Sequence, residues 1–397
     1  MKNLRVWQKA VIIAIAFSVP IVVLLYFLVS EQGIAIDFGT NERKGLEYLA
    51  PADKVLVEIQ QHRDFMAAAL GGDASFKDRV TAKEAEIEAS FNALGAQEKK
   101  FGAAFKTSAE FNALRQSWQD LKGAGAKLRP EQSFARHNKL IYDVLHIIIR
   151  AGNSSQLVLD PDVDSYYAMD ACIFKLPKLM EDVSQARGFG AGLLAKGGEI
   201  SAADKASLAS MKVRIEESLR EMNDNIQYGL EANQRMSSTL KPAIEYSVSA
   251  TNEFLDQLDK KVLGVQTPQV TTADYVAAAT KAMDVNVKLL DSQAVVLDDL
   301  LKARIDRFNQ QRLISFVAVG LSLIVTFLFL VFIVRSITRP IAHLTMVAER
   351  ISLGEMDAKI DIDSTEDIGE LAQKFRRLQV SLKAAMDQVE GQEGDKS

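Results

Sequence analysis

Acidic residues recur at every second position in Asp160-Pro161-Asp162-Val163-Asp164-Ser165-Tyr166-Tyr167, a spacing suited to oxygen coordination of a hard cation. A calcium loop starting at Asp160 needs glycine where Ser165 stands and glutamate where Ala171 stands, so the pattern is incomplete. A helix start accounts for the same residues: Asp160 as N-cap, Pro161 at the first helical position, and Asp162 and Asp164 near the positive end of the helix dipole. Both readings stay open. The first makes Asp160, Asp162, Asp164, Tyr166 and Tyr167 candidate ligand contacts, and the second makes the two tyrosines packing residues with polar tips.

Other reactive side chains are scattered. His62, His137, His146 and His343 have no histidine four residues away and no cysteine partner, so no metal site is expected. There is no nucleophile elbow and no glycine-rich phosphate cradle, so neither catalysis nor a cofactor is expected. Cys172 is the only cysteine, which leaves no intrachain disulfide. Its neighbours Ala171, Ile173 and Phe174 suit a small core residue. A net charge of −5 with 25% charged residues gives no basic surface for nucleic acid.

The elements that must position these groups are helices. Residues 31–312 are rich in Ala, Leu, Glu, Lys and Gln with little period-two alternation. Leu49, Ala52, Leu56, Ile59, Met66 and Leu70 form a three-four stripe in which Arg63 is the one polar intruder. Breaks are expected at Gly71-Gly72-Asp73, near Gly95, at Gly123–Pro130, at Asp160-Pro161, at Gly197-Gly198, at Pro242 (a kink at least) and at Thr267-Pro268. The fold class is all-α, and the length suits one helical bundle or two stacked modules. Between Asp274 and Arg335 there is no proline and only Gly320 among glycines, which predicts one helix of about 60 residues, roughly 90 Å. Met283, Val287, Leu290, Ala294, Leu297, Leu301, Ile305 and Phe308 give that helix its apolar stripe.

Two runs, Ala10–Val29 and Leu313–Val334, are each about 20 residues of nearly unbroken hydrocarbon, enough to cross a bilayer. Lys2, Arg5 and Lys9 precede the first run, while Glu31, Asp37 and Glu42 follow it, so both termini are expected in the cytoplasm. Cleavage of the first run as a signal peptide is disfavoured by its length and by the poor site at Leu28-Val29-Ser30-Glu31. The expected layout is a cytoplasmic tail over 1–9, a span over 10–30, an extracytoplasmic helical domain over 31–312, a span over 313–334, a cytoplasmic module over 335–387 and a polar tail over 388–397.

In the cytoplasmic module Pro340 precedes a first seam, Ile341, Leu344, Ala348 and Ile351, which Gly354 ends. A second seam follows in Ile368, Leu371, Phe375, Leu378 and Leu382. A connector of about 14 extended residues can run back along the first helix, letting the two lie parallel with Met356 and Ile360 in their groove. Two short helices cannot bury both seams, which predicts a parallel homodimer.

Ile337-Thr338-Arg339-Pro340-Ile341, the Gly354-x-Met356-x-x-x-Ile360 connector and Glu366-Asp367-Ile368-Gly369-Glu370-Leu371 resemble a HAMP domain, the signal-converting linker of bacterial chemoreceptors and sensor kinases. The resemblance implies that Pro340 marks the junction after the span and that Glu366, Asp367 and Gly369 open the second helix. The outer segment, through Ile34–Phe38, Leu46–Leu49 and Leu159–Tyr167, resembles the helical sensor domains of methyl-accepting chemotaxis proteins. That implies a two-pass protein of the bacterial inner membrane, sensing an unknown small ligand or periplasmic protein.

After residue 387 only a short polar tail is left, so output is expected from a separate cytoplasmic signalling protein or a full-length receptor. The competing expectation is a non-switching scaffold anchored in the lipid bilayer.

Overall fold

The computed structural model describes residue 4, residues 6–362 and residues 367–394. Lys2 and Arg5 of the charge argument, Glu366 of the second-seam motif and residues 395–397 of the tail lie outside the described residues. Eleven α-helices are described, with no strand among the described residues: α1 (Val6–Gly71), α2 (Lys77–Phe105), α3 (Ser108–Ala124), α4 (Pro130–Ser154), α5 (Val163–Asp170), α6 (Leu176–Lys196), α7 (Ala202–Ala232), α8 (Ser237–Leu258), α9 (Thr272–Ile333), α10 (Arg339–Ser352) and α11 (Asp367–Gly394). Contacts divide the chain into two compact units, residues 34–308 and a second made of 1–33 with 309–397. The long unbroken stretch expected after Asp274 is α9, 62 residues in length.

Within residues 34–308, two four-helix groups lie side by side. In the first, α1, α2, α3 and α4 close around Trp118, Ile87, Phe91 and Val144, all fully buried. Lys83 of α2 meets Glu58 of α1 at 2.7 Å, and Trp118 of α3 donates to Glu88 of α2 at 3.0 Å. In the second, α6 meets α7 through Ser218–Asp182, α7 meets the C-terminal end of α8 through Lys212 and the capping residue Asp259, and α8 meets α9 through Phe254–Tyr275. Tyr275 of α9 then closes the ring by donating to the Ala186 carbonyl of α6 at 2.8 Å. The two groups share one continuous buried core from Leu46 to Leu301. The module arrangement expected from length is thus lateral rather than end to end.

Most expected breaks fall between helices, at Gly72 with φ +121°, Gly125 with φ +39° and Gly197 with φ +69°. The break near Gly95 does not form. Gly95 lies inside α2, where a Cβ would make only an ordinary contact with the Phe111 ring of α3 at 3.5 Å, and the surrounding helix runs through it. Pro242 sits within α8 and does not end it, since one missing N–H leaves the rest of the hydrogen-bond ladder in place. Cys172 is buried in a π-helical segment, Ala171–Lys175, that joins α5 to α6.

The second unit holds the two apolar stretches and the heptad module. α1 and α9 each carry a window of mean hydropathy 2.9 and 3.0 with none of it buried, so both are long and apolar enough to cross a membrane. A shallow apolar groove runs where Ile15, Val19 and Val22 of α1 face Leu323, Phe327 and Leu330 of α9.

After α10 the chain reverses at Gly354, φ +94°, where the Glu355 amide returns to the Arg350 carbonyl at 3.0 Å. The connector then runs against α11. Lys383 pairs with Asp357, Gln379 donates to the carbonyls of Met356 and Ala358, and Arg376 donates to those of Ile360 and Ile362. Successive connector residues meet successively earlier residues of α11, so α10 and α11 point the same way. Leu344, Val347, Ile351, Ala358, Ile360, Ile362 and Ala372 form their small core, with Met356, Ile368 and Phe375 packed against it.

Candidate functional site

Arg63 of α1 and Arg187 of α6 are among the largest fully buried side chains in the protein. A guanidinium stays charged in a core, so both must be paired there. Glycines bring their helices close enough to do it. A Cβ on Gly188 would lie 2.2 Å from Asp64 Oδ1, and one on Gly71 would lie 2.6 Å from the Gly192 carbonyl oxygen. The pair therefore sits on the seam between the two four-helix groups.

Asp64 bridges the arginines. Its Oδ2 accepts from Arg187 Nε at 2.7 Å and from Ser184 Oγ at 2.8 Å, and its Oδ1 accepts from Arg63 Nε at 3.2 Å. Arg63 Nη1 reaches Glu181 Oε1 and Asn138 Oδ1, each at 2.7 Å, while its Nη2 reaches Ser184 Oγ at 2.9 Å. The Arg63 guanidinium also stacks 5.1 Å over the Phe134 ring. Burial alone would lower the Arg63 pKa, but the charges of Glu181 and Asp64 outweigh it and hold the group above its ordinary value.

Arg187 is less complete. Its Nη1 donates to Thr280 Oγ1 of α9 at 3.1 Å, but its Nη2 is buried with no partner. That open donor lies in a neighbourhood with a second guanidinium, an amide and a hydroxyl, a set matched to a small planar oxyanion. A cavity of about 250 Å³ adjoins this cluster, lined by Phe134, Asn138, Gly188 and Phe189 but by neither arginine.

Beside this cluster, His62 Nδ1 lies 2.7 Å from His137 Nε2, and His137 Nδ1 lies 2.7 Å from the Ser133 carbonyl. A carbonyl only accepts, so His137 carries its hydrogen on Nδ1 and receives that of His62 on Nε2. Burial and then the neighbouring His62 push the His137 pKa well down, so His137 is neutral and the pair fixes α4 against α1 next to Arg63.

The sequence-derived candidates lie elsewhere. Asp160 is not an N-cap. α5 starts at Val163 after Asp162, and Pro161 stands outside it. Asp160 is drawn instead onto Arg304 of α9, accepting from Nη2 at 2.8 Å and 2.9 Å, because a buried guanidinium needs a carboxylate more than a short helix needs a cap. Asp162 Oδ2 lies 3.1 Å from Arg304 Nε as an ion pair and 3.4 Å from Arg307. Asp164 turns away to accept from Asn233 at 2.8 Å. Tyr166 and Tyr167 meet edge to face, and Tyr167 packs on Tyr228.

In the heptad module Leu344 and Ile351 are buried, whereas Ile341 and Ala348 are half-buried. Pro340 opens α10, and Gly369 is buried at the start of α11. Leu371, Leu378 and Leu382 of the second seam are exposed in the single chain.

Residues 54–310 match the family described as nitrate and nitrite sensing, and residues 332–384 match the HAMP domain. The chain belongs to the nitrate and nitrite sensing family. A nitrate and nitrite sensing region joined to a HAMP domain makes it a transmembrane sensor of the signal-transduction type. Among curated relatives it is similar to methyl-accepting chemotaxis protein McpA of Bacillus subtilis (strain 168), 29% identical over 77 residues, which is 19% of this chain and 12% of that protein. The chain thus spans only a small part of that relative. Among solved structures it resembles the NasR transcription antiterminator, with a TM-score of 0.51 and 14% identity over 92% of this chain and 97% of the other, a likeness of fold.

Sequence reasoning touched Arg63 only as an intruder in an apolar stripe, and it missed Arg187, Asp64, Glu181 and Ser184. The signal for α6 was present in Gly188 and Gly192, four residues apart on one helix face where α1 approaches, with Gly190 turned instead toward Tyr275 of α9.

Proposed function

We propose that this chain is a non-catalytic receptor of the bacterial inner membrane that binds nitrate or nitrite at Arg63 and Arg187 and relays the event through its HAMP domain. The observation that carries this is the buried Arg187 Nη2, a charged donor left open beside a second guanidinium inside the family-matched region. A planar oxyanion accepts from that donor without desolvating any group that is now hydrated. The site already holds Asp64 and Glu181, so binding requires at least one carboxylate–guanidinium contact to slacken. Ligand energy therefore converts into relative movement of α1, α4 and α6.

In this reading residues 34–308 face outward and both termini lie in the cytoplasm. The exposed Leu371, Leu378 and Leu382 support a parallel homodimer, since a second copy would cover a seam that one chain leaves in solvent. The output is a change in how that bundle packs, read by a separate cytoplasmic signalling protein.

The test is thermal unfolding of the full chain in nanodiscs with nitrate, nitrite and chloride. Nitrate at about a hundred times its Kd should add about 2.7 kcal/mol. Chloride should add far less, and Arg187→Met should abolish the nitrate effect while keeping the helical spectrum. An equal response to all three anions, or an undiminished response in R187M, would defeat the assignment.

A further inference from the structure

At the opposite end of the 34–308 unit from the arginine pair, Arg304 of α9 gathers three carboxylates. Besides Asp160 and Asp162 it holds Glu42 of α1, whose Oε2 accepts from Nη1 at 3.1 Å. The Glu42 and Asp160 side chains have no exposure, and Arg304 is 5% exposed. The charged groups facing Glu42 are Asp160 and Asp162 from the segment before α5 and Arg304 from α9. On α1 itself, Arg43 is taken up by Asp298 at 2.6 Å, and Arg307 reaches only as far as Asp162. One buried cation therefore serves three acids, with the exposed Arg307 offsetting part of one.

Glu42 is the acid left over. Asp160 accepts from Arg304, from Ser165 Oγ at 2.8 Å and from the Asp162 amide at 3.0 Å, so its charge is well solvated by donors. Asp162 is 42% exposed and shares Arg307. Glu42 has a single donor, and its Oε1 is buried with no partner. A carboxylate there would hold charge on an oxygen that nothing stabilises, whereas the neutral acid would not.

We propose that Glu42 is a proton-binding site, protonated in the resting domain, whose proton is lost to the medium as pH rises. Loss of that proton leaves a third negative charge on Arg304 and loosens the junction of α1, α9 and the Asp160–Asp162 segment. Because α1 and α9 are also the helices that carry the apolar spans, protons become a second input to the sensor, independent of the anion site. Burial, eased by Arg304 and reinforced by Asp160, pushes the Glu42 pKa up to about 8. Relative to the ordinary value of 4.5, that is a proton affinity raised about three thousand-fold.

The experiment uses the full chain in nanodiscs, wild type against Glu42→Gln, melted from about pH 5 to about pH 9. A raised acid pKa stabilises the fold fully on the acid side, and that stability is lost between the unfolded and the folded value. The wild-type midpoint should therefore fall relative to E42Q as pH rises from about 5 to about 8, then run level with it in slope above that. Infrared difference spectra should show a protonated-carboxyl band in the wild type at neutral pH that E42Q lacks. Parallel melting curves across the whole window overturn the proposal. So does a wild-type carboxyl band that titrates in the ordinary range, a measurement that decides the matter even if E42Q fails to fold. Nitrate is omitted throughout, so failure of the anion assignment leaves this outcome readable.

Discussion

Replacing Asp64 by Asn tests whether the arginine pair is one electrostatic unit. The side chain keeps its shape, but the buried cluster goes from two positive and two negative groups to a net positive one. Asp64 takes hydrogen bonds from Arg187 Nε, Arg63 Nε and Ser184 Oγ with no exposure of its own, so water does not replace the lost charge. Removing one member of a buried, hydrogen-bonded charge set costs about 3–5 kcal/mol. For a domain of this size each kcal/mol moves the midpoint by about 2–4 °C, so D64N should melt roughly 6–20 °C below wild type. The assay is circular dichroism melting of the full chain in nanodiscs, repeated across a nitrate titration. An anion supplies the missing charge, so nitrate should recover more stability in D64N than it adds to wild type. A midpoint within about 2 °C of wild type would refute the claim that Asp64 holds the pair. A large loss that no anion reverses would refute the claim that the pair is open to one.

Three further perturbations follow. Gly188→Ala places a Cβ 2.2 Å from Asp64 Oδ1, and should cost about 1–3 kcal/mol by melting and weaken nitrate stabilisation, because α1 and α6 must part. Arg376→Ala removes three hydrogen bonds to connector carbonyls, and deuterium exchange over residues 356–362 should rise, with about 1–2 kcal/mol lost locally. Two prolines inserted after Ala303 interrupt α9, and nitrate should then stop altering disulfide crosslinking of a cysteine placed at Leu371. Crosslinking that still responds would show that the signal does not travel along α9.

The helices that the chain announces most clearly are those whose signal is local. α9 is legible because nothing between Asp274 and Arg335 breaks it, and Gly354 marks the reversal after α10 because only a residue free of Cβ takes φ +94° readily. The first apolar run and the Leu49–Leu70 stripe look like separate pieces in the sequence, yet they belong to the single helix α1. The candidate site is illegible for the opposite reason. Arg63 finds Glu181 118 residues away, and Arg187 finds Asp64 across 123. No local pattern announces such a pairing. Asp160 shows the same failure from the other side: its neighbours read as a helix start, but its partner Arg304 stands 144 residues later.

Because Arg63 and Arg187 are held against Asp64 and Glu181, their fields cancel a short distance away. If the pair is the anion site proposed above, it would itself add little long-range steering, and the capture rate should depend only weakly on ionic strength. On the proposed assignment, discrimination between anions would then rest on the shape of the pocket around the open Arg187 donor and not on the bulk salt concentration.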